Sequence, residues 1–212
     1  MKIGILGTGS MATSLALAWA RAGHAVAVAG RTRTRAEAVA EKVGHGVEAL
    51  EPAEAVLGRD AVVLAVTDAG VEPILQQAGG PQGALEGVTL LDCVNTFEYP
   101  SGRLRADLGS ASQRAATVAP GSHVVKALTH FPGTSWLEPD AEPGSRTVAM
   151  AGDDLRALEL VSALVGDLGA RPVVLGSLDR ARQIEESAGF VVAIVGAGAD
   201  PRSAVPSVPG AA

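Results

Sequence analysis

The sequence predicts an α/β fold, a doubly wound and mostly parallel sheet with a small C-terminal extension. Three observations predict it. Short apolar runs alternate with helical patterns over residues 1–131, the sequence form of repeated strand-helix-strand units. The run at 61–66 is apolar throughout, as in strands covered on both faces. The first strand-to-helix junction carries Gly7-Thr8-Gly9-Ser10-Met11-Ala12, the G-x-G-x-x-A spacing of a Rossmann-type turn.

Residues 2–6 form the first strand, with Ile3, Ile5 and Leu6 as its apolar run, and 10–22 the helix after it. Leu15, Leu17, Ala18 and Trp19 supply the face that packs on the sheet, and Gly23 is placed to stop the helix. A second strand spans 25–29 and a second helix 36–43. The run at 61–66 leads through Thr67-Asp68-Ala69-Gly70 to a helix at 71–78, and a turn-rich stretch separates that helix from a strand at 88–91. A helix near 110–116 and a strand at 123–128 close the alternation. Residues 138–144 read as a Pro-rich acidic loop and 146–150 as a strand. Asp153 and Asp154 open a helix to 168, where their charge suits the N-terminus. A last strand at 172–175 and a helix at 177–195 follow. The expected division is a core over 1–150, an extension over 151–198 and a disordered Pro/Ala tail over 199–212.

Sheets of this kind bind ligands outside the C-terminal ends of their strands. Five such ends meet on one edge, at 7–9, 30–33, 67–68, 93–96 and 129–132. At the first, a glycine turn lets helix N-terminal amides approach a pyrophosphate, where the unpaired N–H groups and the helix dipole both favour negative charge. At the second, a dinucleotide site that takes NAD carries an acidic residue for the ribose 2'-hydroxyl. Here the residues are Gly30, Arg31, Thr32, Arg33, Thr34 and Arg35, with no carboxylate. Guanidinium forks match phosphate oxygens, so the segment favours NADP(H) and its 2'-phosphate.

Composition sets the remaining bounds. Of 212 residues, 47% are hydrophobic and 19% charged, which indicates a globular chain. A net charge of -6 argues against a general nucleic-acid binder and makes the Arg segment a local site. The single cysteine, Cys93, leaves no intramolecular disulfide and no multi-cysteine metal site, and reads as a small buried residue. His24, His45 and His123 lack metal-ligand spacing, so no metal is expected. With no apolar run of membrane length and no leader pattern, a cytoplasmic protein is expected. Arg182 and Glu185, three apart on the last helix, are expected to pair with each other.

Residues 1–9, Gly30-Arg31, Val124-Val125-Lys126-Ala127, Ala151-Gly152-Asp153-Asp154, and Leu178 to Arg182 with Glu185 resemble the NADPH-dependent coenzyme F₄₂₀ reductases, also called F₄₂₀-dependent NADP oxidoreductases. The resemblance implies an NADP-binding Rossmann core and an extension completing a deazaflavin pocket. It implies hydride transfer between the nicotinamide and coenzyme F₄₂₀, catalysed by positioning. By position it places Thr8, Gly9, Ser10 and Met11 at the phosphates, beside Gly7. It places Gly30, Arg31 and Arg35 around the 2'-phosphate with Thr32 and Arg33 nearby, and Thr67 and Asn95 beside the nicotinamide. The substrate segment is Thr129, His130 and Pro132, with His130 and Thr67 as catalytic candidates. Here the sequence departs from the family, which commonly has proline at position 67 and, in archaeal members, histidine at 129. A homodimer is expected from the family and from the glycine-rich last helix. Two alternatives stand beside this reading: an imine or pyrroline-type reductase, for which too little chain remains to form the usual helical second domain, and an NADPH-binding sensor or scaffold without turnover.

Overall fold

The computed structural model describes residues 1–105, 109–138 and 144–205. Its elements in chain order are β1 (Lys2–Leu6), α1 (Ser10–Arg21), β2 (Ala25–Ala29), α2 (Arg33–Val43), β3 (Glu48–Ala49), α3 (Pro52–Ala55), β4 (Ala61–Leu64), α4 (Val71–Gln77), β5 (Thr89–Asp92), α5 (Ala111–Val118), β6 (His123–Lys126), β7 (Thr147–Gly152), α6 (Leu155–Asp167), β8 (Arg171–Gly176) and α7 (Ala181–Gly196). The strands form one sheet in the order β3-β2-β1-β4-β5-β6-β7-β8. Every neighbouring pair is parallel except β6 and β7. This is the doubly wound α/β sheet expected, with the last two strands running against the first six.

The order places the reversal of winding between β1 and β4, and the loops after both strands open on the same edge. Two apolar cores flank the sheet. On one face Leu15 and Trp19 of α1, Val39 of α2 and Val161 and Leu164 of α6 pack on Ile3, Ile5, Val28 and Val63. Trp19 also donates its indole N–H to the Leu164 carbonyl at 3.0 Å, which satisfies its one polar atom in the core. On the other face Ile74 and Leu75 of α4 and Ala111 and Ala115 of α5 pack on Leu6, Val62, Leu64 and Leu90.

Several boundaries differ from the expected ones, each for a local reason. Strand β3 is two residues long, too short to show a period, and α3 is one turn opened by Pro52 and a reciprocal Glu51–Glu54 capping box. Helix α2 begins at Arg33, three residues early, so Arg33, Thr34 and Arg35 form its first turn. Strand β6 ends at Lys126, because Leu128 takes φ 62 and turns the chain. The expected 150/151 division falls inside β7, which is hydrogen-bonded into the same sheet. Of the expected loop at 138–144, residues 139–143 lie outside the described residues. In the expected tail, Pro201–Ala204 forms a single 3-10 turn, and 206–212 lie outside the described residues.

Helix α7 closes the structure across the later strands. A Cβ on Gly102 would lie 2.1 Å from the Gly189 carbonyl, so the turn at 97–104 packs backbone to backbone on α7. Gly196 approaches the Pro100 carbonyl in the same way. The glycines of the last helix thus serve a contact within the chain. Among the described residues no helix is long and apolar enough to cross a membrane.

Candidate functional site

The strand ends and helix α4 enclose a cleft of about 500 Å³ lined by Gly7 to Met11, Gly30, Arg31, Arg35, Thr67 and Cys93, among others. Gly7 makes its floor. Its φ is +151°, its N–H donates to the Ala29 carbonyl at 2.8 Å, and a Cβ there would lie 2.1 Å from the Ala65 carbonyl. Only glycine lets β1, β2 and β4 meet so closely. Ala12, fully buried, lies under the same turn.

Gly9 is different. Nothing lies within 4 Å of the position a Cβ would take, and its backbone is extended. It precedes α1, whose first turn has no side-chain cap and no acidic residue. The first turn of this twelve-residue helix thus begins uncapped at the cleft, an arrangement that favours an anion. Thr8 packs against Gly30, where a Cβ would come within 2.6 Å of its methyl group, and this holds the first two strand ends together.

The basic segment divides. Arg31 and Arg35 line the cleft, and neither makes an ion pair among the described residues. Arg33 turns away and bonds Glu37 at 3.3 Å, with Glu54 and Glu51 at 3.8 and 4.0 Å. Thr32 precedes α2 with no cap bond from its side chain, its carbonyl accepting from the Arg35 N–H at 3.1 Å. The phosphate socket anticipated from three arginines thus has two guanidiniums at the cleft.

At the other end stand Thr67 and Cys93. The Cys93 thiol donates to the Leu64 carbonyl at 3.4 Å, and burial, reinforced by Asp92 and opposed by Lys126, pushes its pKa well up. It is not a reactive thiolate. Asn95 donates from Nδ2 to the Thr129 carbonyl at 3.0 Å, while its buried Oδ1 has no partner. A buried amide oxygen left unsatisfied beside a cleft suits a ligand that brings a donor.

Thr129 is buried, Pro132 is exposed, and neither they nor His130 lines the cleft directly. Their loop is held against the cleft wall: a Cβ on Gly133 would lie 2.9 Å from Met11 Cα. His130 Nε2 is 2.7 Å from Ser187 Oγ on α7, and Ser187 donates its proton to the Ile184 carbonyl at 2.9 Å. Ser187 must then accept from His130, which sets the neutral imidazole as the Nε2–H tautomer. Burial and the charge of Lys126 lower the His130 pKa, so the neutral form is favoured. Trp136 anchors this segment, edge-on to Phe131 and under the Arg146 guanidinium at 5.0 Å.

One cluster was not anticipated. Asp92 and Lys126 are register partners at the ends of β5 and β6, and Glu185 reaches them from α7; all three are fully buried. Lys126 Nζ lies 2.9 Å from Asp92 and 2.6 Å from Glu185, and also donates to the Val94 carbonyl. Glu185 accepts further from Thr96 Oγ1 at 2.5 Å and the Ala111 N–H at 3.0 Å. Asp92 accepts from Ser112 Oγ at 2.6 Å and the Val94 N–H at 2.9 Å. Burial alone would pull the Lys126 pKa down, but the two carboxylates more than offset it and raise it. Glu185 therefore does not pair with Arg182, whose partner is Glu186 at 2.9 Å. The available signal was one charged residue closing each of two apolar runs, Leu90-Leu91-Asp92 and Val124-Val125-Lys126.

Two motifs that carried the resemblance are structural. Asp153 accepts from the Leu178 N–H at 2.9 Å and Asp154 caps α6 through the Ala157 N–H at 2.8 Å. No group of three or more His, Cys, Asp or Glu among the described residues is placed to hold a metal.

Residues 2–96, which build this cleft through β5 and Asn95, match the family model for coenzyme F₄₂₀-dependent NADP oxidoreductases. The F₄₂₀-dependent NADP reductase of Methanothermobacter thermautotrophicus is 28% identical over 209 residues, covering 88% of this chain and 85% of that protein. These likenesses are to NADP-dependent oxidoreductases. A solved structure from Arthrobacter sp. FB24, to which an F₄₂₀-dependent NADP-reductase activity is ascribed, superposes with a TM-score of 0.79 at 26% identity over 94% of this chain and 96% of that one. The chain is also 29% identical over 185 residues to metalloreductase STEAP3 of Rattus norvegicus. That match covers 87% of this chain but only 36% of the metalloreductase. Imine reductases of 17–18% identity share its fold alone.

Proposed function

We propose that this oxidoreductase transfers a hydride between NADPH and a deazaflavin, coenzyme F₄₂₀. The observation that carries the reading is the open cleft running from Arg31 and Arg35, past the uncapped start of α1 at Gly9, to Thr67 and Cys93, with Asn95 two residues further along the chain. Its length order matches 2'-phosphate, pyrophosphate and nicotinamide. Arg31 and Arg35 hold the 2'-phosphate, with Thr32 beside them. The N–H groups after Gly9 hold the pyrophosphate. Thr67 and Asn95 orient the nicotinamide, Asn95 Oδ1 accepting from its carboxamide. Thr129, His130 and Pro132 face the acceptor ring.

NADPH supplies the hydride when bound, so the protein needs no nucleophile or metal. The chain's own residues stack the rings, exclude water with the apolar cleft wall and keep His130 neutral. A cytoplasmic homodimer remains part of the reading. The experiment is absorbance at the deazaflavin band on mixing protein, NADPH and F₄₂₀, with NADH as control. NADPH-dependent bleaching, lost in Arg31→Glu, supports both the acceptor and the phosphate socket. If NADPH binds and the band does not change, the deazaflavin is wrong, and small imines, then a role in sensing, are tested next.

A further inference from the structure

Among the described residues, the Asp92–Lys126–Glu185 cluster is the one buried charged group that the hydride-transfer reading leaves without a role. Its hydrogen bonds are those of one ammonium held between two carboxyl groups. Lys126 has three N–H donors and meets three acceptors: Asp92, Glu185 and the Val94 carbonyl. Each carboxylate oxygen in turn accepts from at least one donor that is not a carboxyl group. Asp92 takes the Val94 N–H, Ser112 Oγ and Lys126, while Glu185 takes Thr96 Oγ1, the Ala111 N–H and Lys126. Two carboxylates set against one ammonium give the cluster one net negative charge.

That excess charge is stabilised from one side. Ala111 is the first residue of α5, so Glu185 sits where that helix's N-terminal N–H groups and dipole favour an anion. The rest is enclosed by the sheet. Such a group contributes little to stability compared with apolar residues of the same size, which makes its position the informative feature. Its bonds clamp the loop after β5 on both sides of Asn95, through Val94 and Thr96, and leave Asn95 Oδ1 without a partner. Cys93 of the same loop lines the cleft and follows Asp92 directly in the chain.

Resting on the placement of the nicotinamide at Thr67, Cys93 and Asn95, we propose that the Asp92–Lys126–Glu185 cluster is a fixed negative charge behind the nicotinamide end of the cleft, favouring the cationic ring of NADP⁺ over the neutral ring of NADPH. Hydride departure leaves the ring with a positive charge, and a preorganised negative charge in a dry wall lowers the cost of that change. Asp92 and Glu185 touch no reacting atom and act through the field and through the loop that carries Asn95.

The test is binding at equilibrium, separate from turnover. NADP⁺ and NADPH are titrated against wild-type protein, Glu185→Gln, Asp92→Asn and Thr96→Val. Glu185→Gln keeps the shape and lets Thr96 turn its hydroxyl to accept, while making the cluster neutral. We expect Glu185→Gln and Asp92→Asn to weaken NADP⁺ on the order of tenfold while NADPH changes within about twofold. Thr96→Val, which keeps the charge, leaves the ratio unchanged. Equal weakening of both ligands, or an unchanged ratio in the two charge-neutralising variants, overturns the proposal. The wild-type protein provides a further check if either variant fails to fold: a preference for NADPH over NADP⁺ of more than about tenfold overturns it too. Arg31→Glu separates this from the underlying reading, because loss of both ligands there supports the cleft assignment whatever the ratio shows, and no effect on either sinks that assignment.

Discussion

Gly7 and Gly9 stand two residues apart in one motif and do different work. Gly7 is required by the fold: φ +151° and the Ala65 carbonyl 2.1 Å from a would-be Cβ leave no room for a side chain. Gly9 is not required by the fold, since its backbone suits any residue and the space above it is open, and on the proposed reading that space takes the ligand. Gly7→Ala is therefore expected to destabilise the protein by about 2–4 kcal/mol. Gly9→Ala should change stability by less than about 1 kcal/mol while weakening NADPH several-fold, because a methyl group enters the space left for the pyrophosphate. Urea unfolding and NADPH titration of the two variants check this, and equal behaviour would refute the division. The motif itself was legible because its spacing is dictated by backbone approach. The role of Arg33 was not, because its partners Glu51 and Glu54 come from a turn that no periodicity announces.

The elements most informative about function are β6 and α7. Leu128, buried at φ 62, turns the chain out of β6 so that Thr129 meets Asn95 and His130 meets Ser187. A β-branched or bulky residue rarely takes this conformation, and the surrounding bonds hold it there. His130 thereby ties the loop after β6 to α7. Its folded pKa is lowered, chiefly by burial and then by Lys126, below that of the unfolded chain. As pH falls through the ordinary histidine range, the unfolded chain takes up a proton that the folded chain resists, so stability is lost toward acid. His130→Gln should flatten the fall in urea midpoint between neutral and mildly acidic pH, and an unchanged slope would show that other groups set it. The inward face of α7 was hidden from sequence because Glu185 stands among Arg182, Glu186 and other polar residues that suggest a solvated surface. What reverses that reading is a long-range partner, Lys126, fifty-nine positions earlier in the chain.

At the scale of the molecule, the alternation of strands and helices made five of the first six strands readable, since each burial pattern repeats locally, while the two-residue β3 is too short to show one. The direction of β7 was not readable, because a pairing between distant segments carries no local signature. That pairing makes the chain beyond residue 146 part of one sheet and brings α7 back over the ends of β5 and β6. Lys126 is the point where these layers meet, bonded to β5, to the loop after it and to α7. Replacing Lys126 with Met leaves two carboxylates buried without a cation, which costs about 3–5 kcal/mol. Adding Glu185→Leu removes one of those carboxylates, so the double variant is expected to recover part of that loss. Because the cluster joins the core to the extension through covering strands, unfolding should remain one cooperative transition in all three proteins, its midpoint shifted as a whole. A transition that splits in Lys126→Met, with residues after 150 melting first by hydrogen exchange, would instead show that the extension is a separate unit held on by this cluster.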